Sequence, residues 1–243
     1  MQKFREIKTG IPGLDERLGG GIPYNAVVLL SYQTGATFHA FASWGIIKQM
    51  ENYHIILVNF SSPVEEFINR SNIESAFDSE NKAPEREFFS LIDCFTQEGD
   101  TTKKVYGGIV YQVSNPFDID KLYSTMRMVR GELGKNKWVI WGFNTLTDLS
   151  IVVSEEQLAK FCRRLFHFHK SYNDLAFYLL NMEAQTENFF AIMNQMVDVS
   201  IEFKVEEKED RLKNYVQVVK GFFPIDTKKL YYETKEKGKS IFY

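Results

Sequence analysis

Apolar runs bounded by turn residues alternate along this chain with segments that carry apolar residues at helical spacing. The predicted strands are Ala26–Ser31, Ile55–Phe60, Phe88–Phe95, Trp138–Phe143 and Leu175–Met182. Helices are predicted between them at about residues 36–51, 63–71, 118–134 and 155–172. Continuous apolar strands separated by helical crossovers are typical of a largely parallel sheet with helices on its faces. The sequence therefore predicts an α/β fold.

The pattern changes near the C-terminus. Val197–Val205 alternates apolar with polar residues, which indicates a half-solvated and antiparallel strand. A charged turn at residues 206–210 and the runs Tyr215–Lys220 and Lys229–Glu233 predict antiparallel hairpins at the sheet edge. Residues 78–87 and 96–104 are polar, and we expect surface loops there. Because no linker rich in Pro, Gly and Ser divides the chain, a single domain spanning residues 1–243 is expected.

Composition narrows the class of protein. With 44% hydrophobic residues among 243, the chain can bury a full core, and its formal net charge of −3 gives no overall attraction to nucleic acid or anionic lipid. Cys94 and Cys162 lie in apolar contexts, which predicts buried thiols in a reducing compartment. No apolar run approaches the roughly 18 residues of a membrane span, and residues 1–10 lack a secretion signal. We therefore expect a soluble, cytoplasmic protein.

The run KTGIPGLDERLGGGIP, residues 8–23, resembles the motif that precedes the phosphate-loop strand in the KaiC-like branch of the RecA-type ATPases. Later segments agree with that family in their order along nearly the whole chain. They are residues 55–67, 91–96, 138–149 (the Walker B strand), 161–182, 198–203 (the edge strand) and 212–221 (the C-terminal hairpin). The resemblance implies one KaiC-like/RecA-like domain. Its fold would be of the P-loop NTPase type, a mostly parallel sheet flanked by helices, with antiparallel C-terminal edge strands.

The stretch SYQTGATFHA, residues 31–40, stands where this family has its phosphate loop. Alignment with G-x-x-x-x-G-K-[ST] puts Tyr32 and Thr37 at the glycines, Phe38 at the Lys and His39 at the hydroxyl, and leaves Gly35 as the intermediate glycine. A working loop needs glycines that let backbone approach phosphate, a Lys for the phosphate charge and a hydroxyl on magnesium. Losing the Lys contact alone weakens phosphate binding about tenfold to a hundredfold. We therefore expect no nucleotide cofactor and no metal.

The resemblance implies further chemical positions, and this chain departs from the family at all of them except Lys220. Ser61 and Ser62 stand where the family has adjacent catalytic glutamates, and Asn144 stands where an Asp holds magnesium. Lys220 matches the Lys of a pair that reaches across a subunit boundary, whereas Phe222 replaces the Arg of that pair. A Ser without a partner is no base at neutral pH, and an amide offers no negative charge to a metal ion.

These departures predict a catalytically inactive KaiC-like protein, a pseudo-ATPase, that acts as a regulatory or scaffolding component. We expect protein partners, among them further copies of the chain in a homo-oligomer. Phe222 and Phe38 either pack in place of nucleotide at the subunit boundary or fill an empty pocket within one subunit. Two alternatives stay open. One is an unconventional ATP-binding protein or ATPase that uses His39, Lys220 and backbone amides. The other is a nucleic-acid-binding RecA-like module, although nucleic acid is the less expected partner and no membrane partner is expected.

Overall fold

The computed structural model describes residues 6–36, 53–70, 89–96, 101–105, 108–208, 211–222, 224–234 and 240–242. The strands in these residues are β1 (Glu6–Ile7), β2 (Ile22–Pro23), β3 (Val27–Tyr32), β4 (His54–Asn59), β5 (Phe89–Asp93), β6 (Thr102–Val105), β7 (Gly108–Gln112), β8 (Val139–Asn144), β9 (Leu175–Asn181), β10 (Val199–Lys208), β11 (Arg211–Lys220), β12 (Leu230–Thr234) and β13 (Ser240–Phe242). The helices are α1 (Pro12–Arg17), α2 (Val64–Arg70), α3 (Ile119–Glu132), α4 (Leu146–Ser150), α5 (Glu155–Tyr172) and α6 (Glu187–Met196).

An 11-stranded sheet runs through the molecule in the order β13-β12-β11-β10-β3-β9-β8-β4-β5-β7-β6. Neighbouring strands from β10 to β7 are parallel. Antiparallel strands extend the sheet at both edges, β11 to β13 on one side and β6 on the other. This arrangement confirms the predicted α/β fold with a mostly parallel sheet and antiparallel C-terminal strands.

Two apolar cores cover the two faces of the sheet, and strand β3 contributes to both. Val28 and Leu30 pack into one core. Val27 and Leu29 pack into the other, which includes the apolar faces of α3, α5 and α6. Successive side chains of a strand point to opposite faces, so a strand buried on both faces needs an unbroken apolar run. That requirement explains why β3 contains the run Val-Val-Leu-Leu rather than apolar residues that alternate with polar ones.

A buried ion pair joins α3 to the amino ends of β8 and β9. Arg130, 0% exposed, donates from Nε to Asp174 Oδ2 at 2.8 Å and from Nη2 to Asp174 Oδ1 at 3.0 Å. Trp141 Nε1 donates to the same carboxylate at 2.9 Å, and Arg130 Nη1 donates to the carbonyl of Gly134 at 2.7 Å. Each buried charge thus has a partner, and the group fixes three elements at the end of the sheet where the parallel strands begin.

The predicted central strands match the structure to within two residues at each end, and the predicted helices at 63–71, 118–134 and 155–172 match α2, α3 and α5. Cys94 and Cys162 are buried free thiols, as predicted, and burial raises the pKa of each. The predicted helix at 36–51 and the predicted loop at 78–87 lie outside the described residues, apart from Ala36. None of the helices in the described part of the chain has the length and apolarity needed to cross a membrane.

Two predictions about the sheet were wrong. Strand β10 is neither an edge strand nor half-solvated along its length, because it pairs with β3 and with β11, and Ser200 and Glu202 are buried. Its pairing with β11 is antiparallel, as expected, but its pairing with β3 is parallel. Residues 96–104 are not only loop, since Thr102–Val105 forms β6 against β7. The sequence prediction also missed β7, α4 and α6.

Candidate functional site

Four neighbouring parallel strands in the centre of the sheet, β3, β9, β8 and β4, have their carboxyl ends side by side. Tyr32 at the end of β3 pairs with Asn181 at the end of β9, and Asn59 at the end of β4 pairs with Asn144 at the end of β8. Ligands of open α/β sheets bind at the carboxyl ends of the parallel strands. We call these four residues and the loops that follow them the strand-end site.

Neutral side chains join β4 and β8 at the strand-end site. Asn144 Nδ2 donates to Ser61 Oγ at 3.0 Å. Asn59 fixes the turn that holds this hydroxyl, because its Oδ1 accepts from the Ser61 backbone at 3.3 Å and its Nδ2 donates to the Ser62 carbonyl at 2.7 Å. Ser61 is exposed, whereas Ser62 is 5% exposed. The structure therefore brings Ser61 and Asn144 into contact and leaves Ser62 in the turn beneath them.

Tyr32, the last residue of β3, is half-buried. Its hydroxyl hydrogen-bonds to Thr147, Thr145 and Asn181. Burial raises the pKa of Tyr32, and these hydrogen bonds oppose that rise. The Thr147 hydroxyl also accepts from the Asn181 backbone at 2.9 Å, so one polar cluster links β3, β9 and the start of α4. The side chain of Tyr32 also packs against the apolar core on one face of the sheet.

The loop after β3 has, at one position, a backbone conformation that favours glycine. Gly35 has φ +92°, and a Cβ added there would meet no described atom within 4 Å. Only glycine adopts this backbone region without strain. Thr37, Phe38 and His39 lie outside the described residues, so their assignment to the Walker A positions stays a prediction.

Asp148 on α4 is a carboxyl group near Tyr32, and its charge contributes to raising the pKa of that tyrosine. Burial raises the pKa of the Asp148 carboxyl itself, and its Oδ2 has no hydrogen-bond partner among the described residues. The described residues contain no group of three or more His, Cys, Asp and Glu side chains that could hold a metal ion.

Lys220 and Phe222 lie away from the strand-end site of their own chain. Lys220 pairs with Ser200 near the start of β10, at the amino ends of the parallel strands. Its Nζ donates to the carbonyls of Asn194, Gln195 and Val197 at 3.0, 3.0 and 2.6 Å. Phe222, two residues further on, is 46% exposed. The lysine therefore binds the C-terminal end of α6, where the helix dipole favours a positive charge.

Comparison with known proteins decides the family. A family model described as “ATPase: KaiC” matches residues 7–242. The chain belongs to the KaiC family. The matched region covers almost the entire sequence and includes Ser61, Asn144 and Phe222.

Relatives of this KaiC-family chain include archaeal proteins. UPF0273 protein MJ1359 of Methanocaldococcus jannaschii is 31% identical over 152 residues, which are 61% of this chain and 59% of that protein. UPF0273 protein PF1931 of Pyrococcus furiosus is 30% identical over 145 residues, 58% of this chain and 56% of that protein. The chain thus matches less than two thirds of the length of these relatives. The crystal structure of KaiC-like protein PH0186 from Pyrococcus horikoshii OT3 has a TM-score of 0.72 with 99% of both chains covered and 18% identity, which supports the shared fold.

Sequence reasoning missed a contact between the loops after β3 and β9 in this KaiC-family chain. The backbone N–H of Thr34 donates to Glu183 Oε2 at 3.0 Å. Asn181 also takes part, since its Oδ1 accepts from the Glu183 backbone at 2.9 Å. Asn181 could have been suspected because it ends a buried strand. Glu183 is an exposed acid outside any motif, and the sequence carries no signal for its role.

Proposed function

We propose that this chain is a KaiC-family protein without ATPase activity that acts as a regulatory or scaffolding component through contacts with protein partners. The hydrogen bond between Asn144 Nδ2 and Ser61 Oγ carries the proposal. By the family resemblance, these positions would hold the metal carboxylate and a catalytic base. Here they hold two neutral groups that satisfy each other.

The chemistry of this pair opposes hydrolysis. A base that activates water needs a pKa near the working pH or a neighbouring proton acceptor, and proton transfer of this kind contributes about 10²–10⁴-fold to a rate. The Ser61 hydroxyl contacts an amide donor and Asn59 Oδ1, which is a neutral acceptor. Magnesium prefers carboxylate oxygens, and the Asn144 amide carries no charge. Both a base and a metal carboxylate are therefore missing from the ends of β4 and β8.

Nucleotide titration and phosphate release test the proposal. Calorimetry with ATP and ADP should detect no binding below about 100 μM, and phosphate release should equal the background. Asn144→Ala and Ser61→Ala are the matched controls, because a contaminating ATPase would give the same signal in all three preparations. Binding below that concentration, or release that falls in the variants, would overturn the proposal.

A nucleotide-binding function is the second candidate, and the geometry of Gly35 favours it. The glycine keeps a left-handed backbone with open space beside it, which is a feature that lets backbone approach a phosphate. In that case the loop would bind ATP through backbone amides without hydrolysing it. The same titration separates the two candidates, because tight binding without phosphate release is the result that only this one predicts.

A further inference from the structure

The loop that follows β3 is contacted by a carboxylate from another part of the chain. Glu183, in the short 3₁₀ helix Met182–Ala184 after β9, accepts from the Thr34 backbone N–H at 3.0 Å. The Thr34 hydroxyl and, to a smaller extent, the Gln33 side chain contribute to lowering the pKa of this carboxyl. The loop therefore presents the Thr34 backbone N–H to this anion, with the polar side chains of Thr34 and Gln33 beside it.

A second set of contacts fixes the position of this carboxylate. The Glu183 backbone N–H donates to Asn181 Oδ1 at 2.9 Å, and Asn181 Nδ2 donates to Thr34 Oγ1 at 3.4 Å. Together with the bond from Thr34 to Glu183, these contacts close a ring that joins the loops after β3 and β9. Glu183 is exposed, yet the Thr34 hydroxyl and backbone N–H lower the pKa of its carboxyl below the ordinary value.

The loop after β3 is the place where a P-loop protein presents backbone N–H groups to phosphate. A carboxylate is an oxyanion with similar acceptor geometry, so the same donors can bind either group. We propose that Glu183 is an internal anion that fills an oxyanion site formed by the Thr34 backbone N–H and the neighbouring side chains of Thr34 and Gln33, with Asn181 holding the backbone of Glu183 in position. This inference rests on the proposed function, in which the wild-type loop holds no nucleotide phosphate.

The occupant that Glu183 excludes would be a phosphoryl group, either inorganic or part of a nucleotide. Such a ligand must displace the carboxylate from the Thr34 N–H, and it meets the repulsion of a nearby negative charge while Glu183 stays in place. Removing the carboxylate frees the donors and removes the repulsion together. The loop thus retains a capacity for anions that the wild-type chain does not use.

Calorimetry with inorganic pyrophosphate at constant ionic strength tests the inference. Glu183→Ala should bind pyrophosphate at least about tenfold more tightly than wild type. Glu187→Ala is the matched control, because it removes the same charge from an exposed position at the start of α6 and should leave the affinity at the wild-type value. Equal affinity in wild type and Glu183→Ala, or the same gain in Glu187→Ala, would overturn the inference.

Amide hydrogen exchange at Thr34 gives a second readout that needs no ligand. Exchange should be faster by about tenfold in Glu183→Ala than in wild type, since the acceptor of that N–H is gone. Unchanged exchange would show that the contact is absent in solution. The failures of the two proposals remain distinguishable: wild-type binding of ATP would overturn the proposed function, whereas an unchanged Glu183→Ala variant would overturn only the role of Glu183.

Discussion

Lys220 Nζ lies 2.6 Å from the backbone carbonyl of Val197, the residue that follows the last turn of α6. The same ammonium also donates to the carbonyls of Asn194 and Gln195 at the end of this helix. Three carbonyls that the helix itself leaves without donors are thereby satisfied. The family resemblance alone had suggested a role for Lys220 at a subunit boundary, whereas its described contacts are within one chain.

Replacing Lys220 with Met should therefore lower stability. Hydrogen bonds to charged groups contribute about 1.5–3 kcal/mol, and partial exposure of this lysine reduces that figure to about 1–2 kcal/mol. Urea denaturation followed by circular dichroism measures the change. Lys228→Met removes an exposed lysine from the loop before β12 and should stay within about 0.5 kcal/mol of wild type. Equal stability of the two variants would contradict the capping role.

Acid should destabilise the protein through His169. Burial, and then the charge of Arg130, lower the pKa of this histidine to about 3 in the folded chain, and its Nε2 lies 2.5 Å from the Tyr178 hydroxyl. In the unfolded chain its pKa is about 6.5, so the unfolded state binds the proton first as pH falls. Stability should decline between pH 6.5 and 3 by up to about 1.4 kcal/mol per pH unit.

Urea titrations of wild type and of His169→Gln at several pH values isolate this contribution. The free energy of unfolding of His169→Gln should lack the decline that protonation of His169 causes. The curves of unfolding free energy against pH for wild type and variant should therefore converge as pH falls. His167→Gln, at an exposed position on the same helix, should keep the wild-type pH dependence. Parallel curves for wild type and His169→Gln would show that this histidine does not titrate as described.

Restoring one P-loop residue should not restore turnover. Phe38→Lys returns a positive charge to the loop, but Ser61 and Asn144 still provide neither a base nor a metal carboxylate. Catalytic groups that act as a unit are strongly non-additive, so the single variant should release phosphate at the background rate. A coupled phosphate-release assay measures this, with Phe38→Gln as the uncharged control. Hydrolysis by Phe38→Lys alone would mean that the catalytic groups lie elsewhere.

Assembly should depend on Phe222 and not on ATP. We expect a homo-oligomer in which this side chain, 46% exposed in the single chain, packs against a neighbouring subunit. Burying an aromatic contributes roughly 1.5–3 kcal/mol, against an association cost of at least about 4 kcal/mol, so other contacts must add to it. Light scattering should give the same mass with and without ATP, and a smaller mass for Phe222→Arg.

Leu212→Arg is the control for this experiment, since Leu212 is 75% exposed at the start of β11, the strand that ends two residues before Phe222. It should assemble as wild type does. A strict monomer at high concentration, or a ring that forms only after ATP is added, would contradict the prediction.

The central strands could be predicted from sequence because they are buried on both faces and therefore read as unbroken apolar runs. Strand β6 could not be, since Lys103 and Lys104 are exposed and the strand exists only through pairing with β7. Strand β10 misled the prediction because Ser200 and Glu202 are buried polar residues in an alternating pattern. Glu202 is accommodated by an ion pair at 2.5 Å with Lys204, which lies two residues further along on the same face of the strand.

The strand-end site was predictable only in part. Ser61 follows β4 and Asn144 is the last residue of β8, so predicting their contact requires knowing that β4 and β8 are neighbours. The contact between Thr34 and Glu183 joins residues 149 positions apart. Thr34 lies in the stretch that the family resemblance marks as the phosphate loop, whereas Glu183 lies in no pattern that marks it. Pairings of this kind depend on tertiary geometry, which local sequence does not encode.

The buried pair of Arg130 and Asp174 lies where the parallel strands begin, and the strand-end site lies where they finish. The two regions share the same strands but no side-chain contact among those described. Substitutions at Ser61 or Asn144 can therefore accumulate without weakening the ion pair that ties α3 to the sheet. This separation makes the anchoring of α3 to the sheet independent of which chemical groups stand at the carboxyl ends of the same strands.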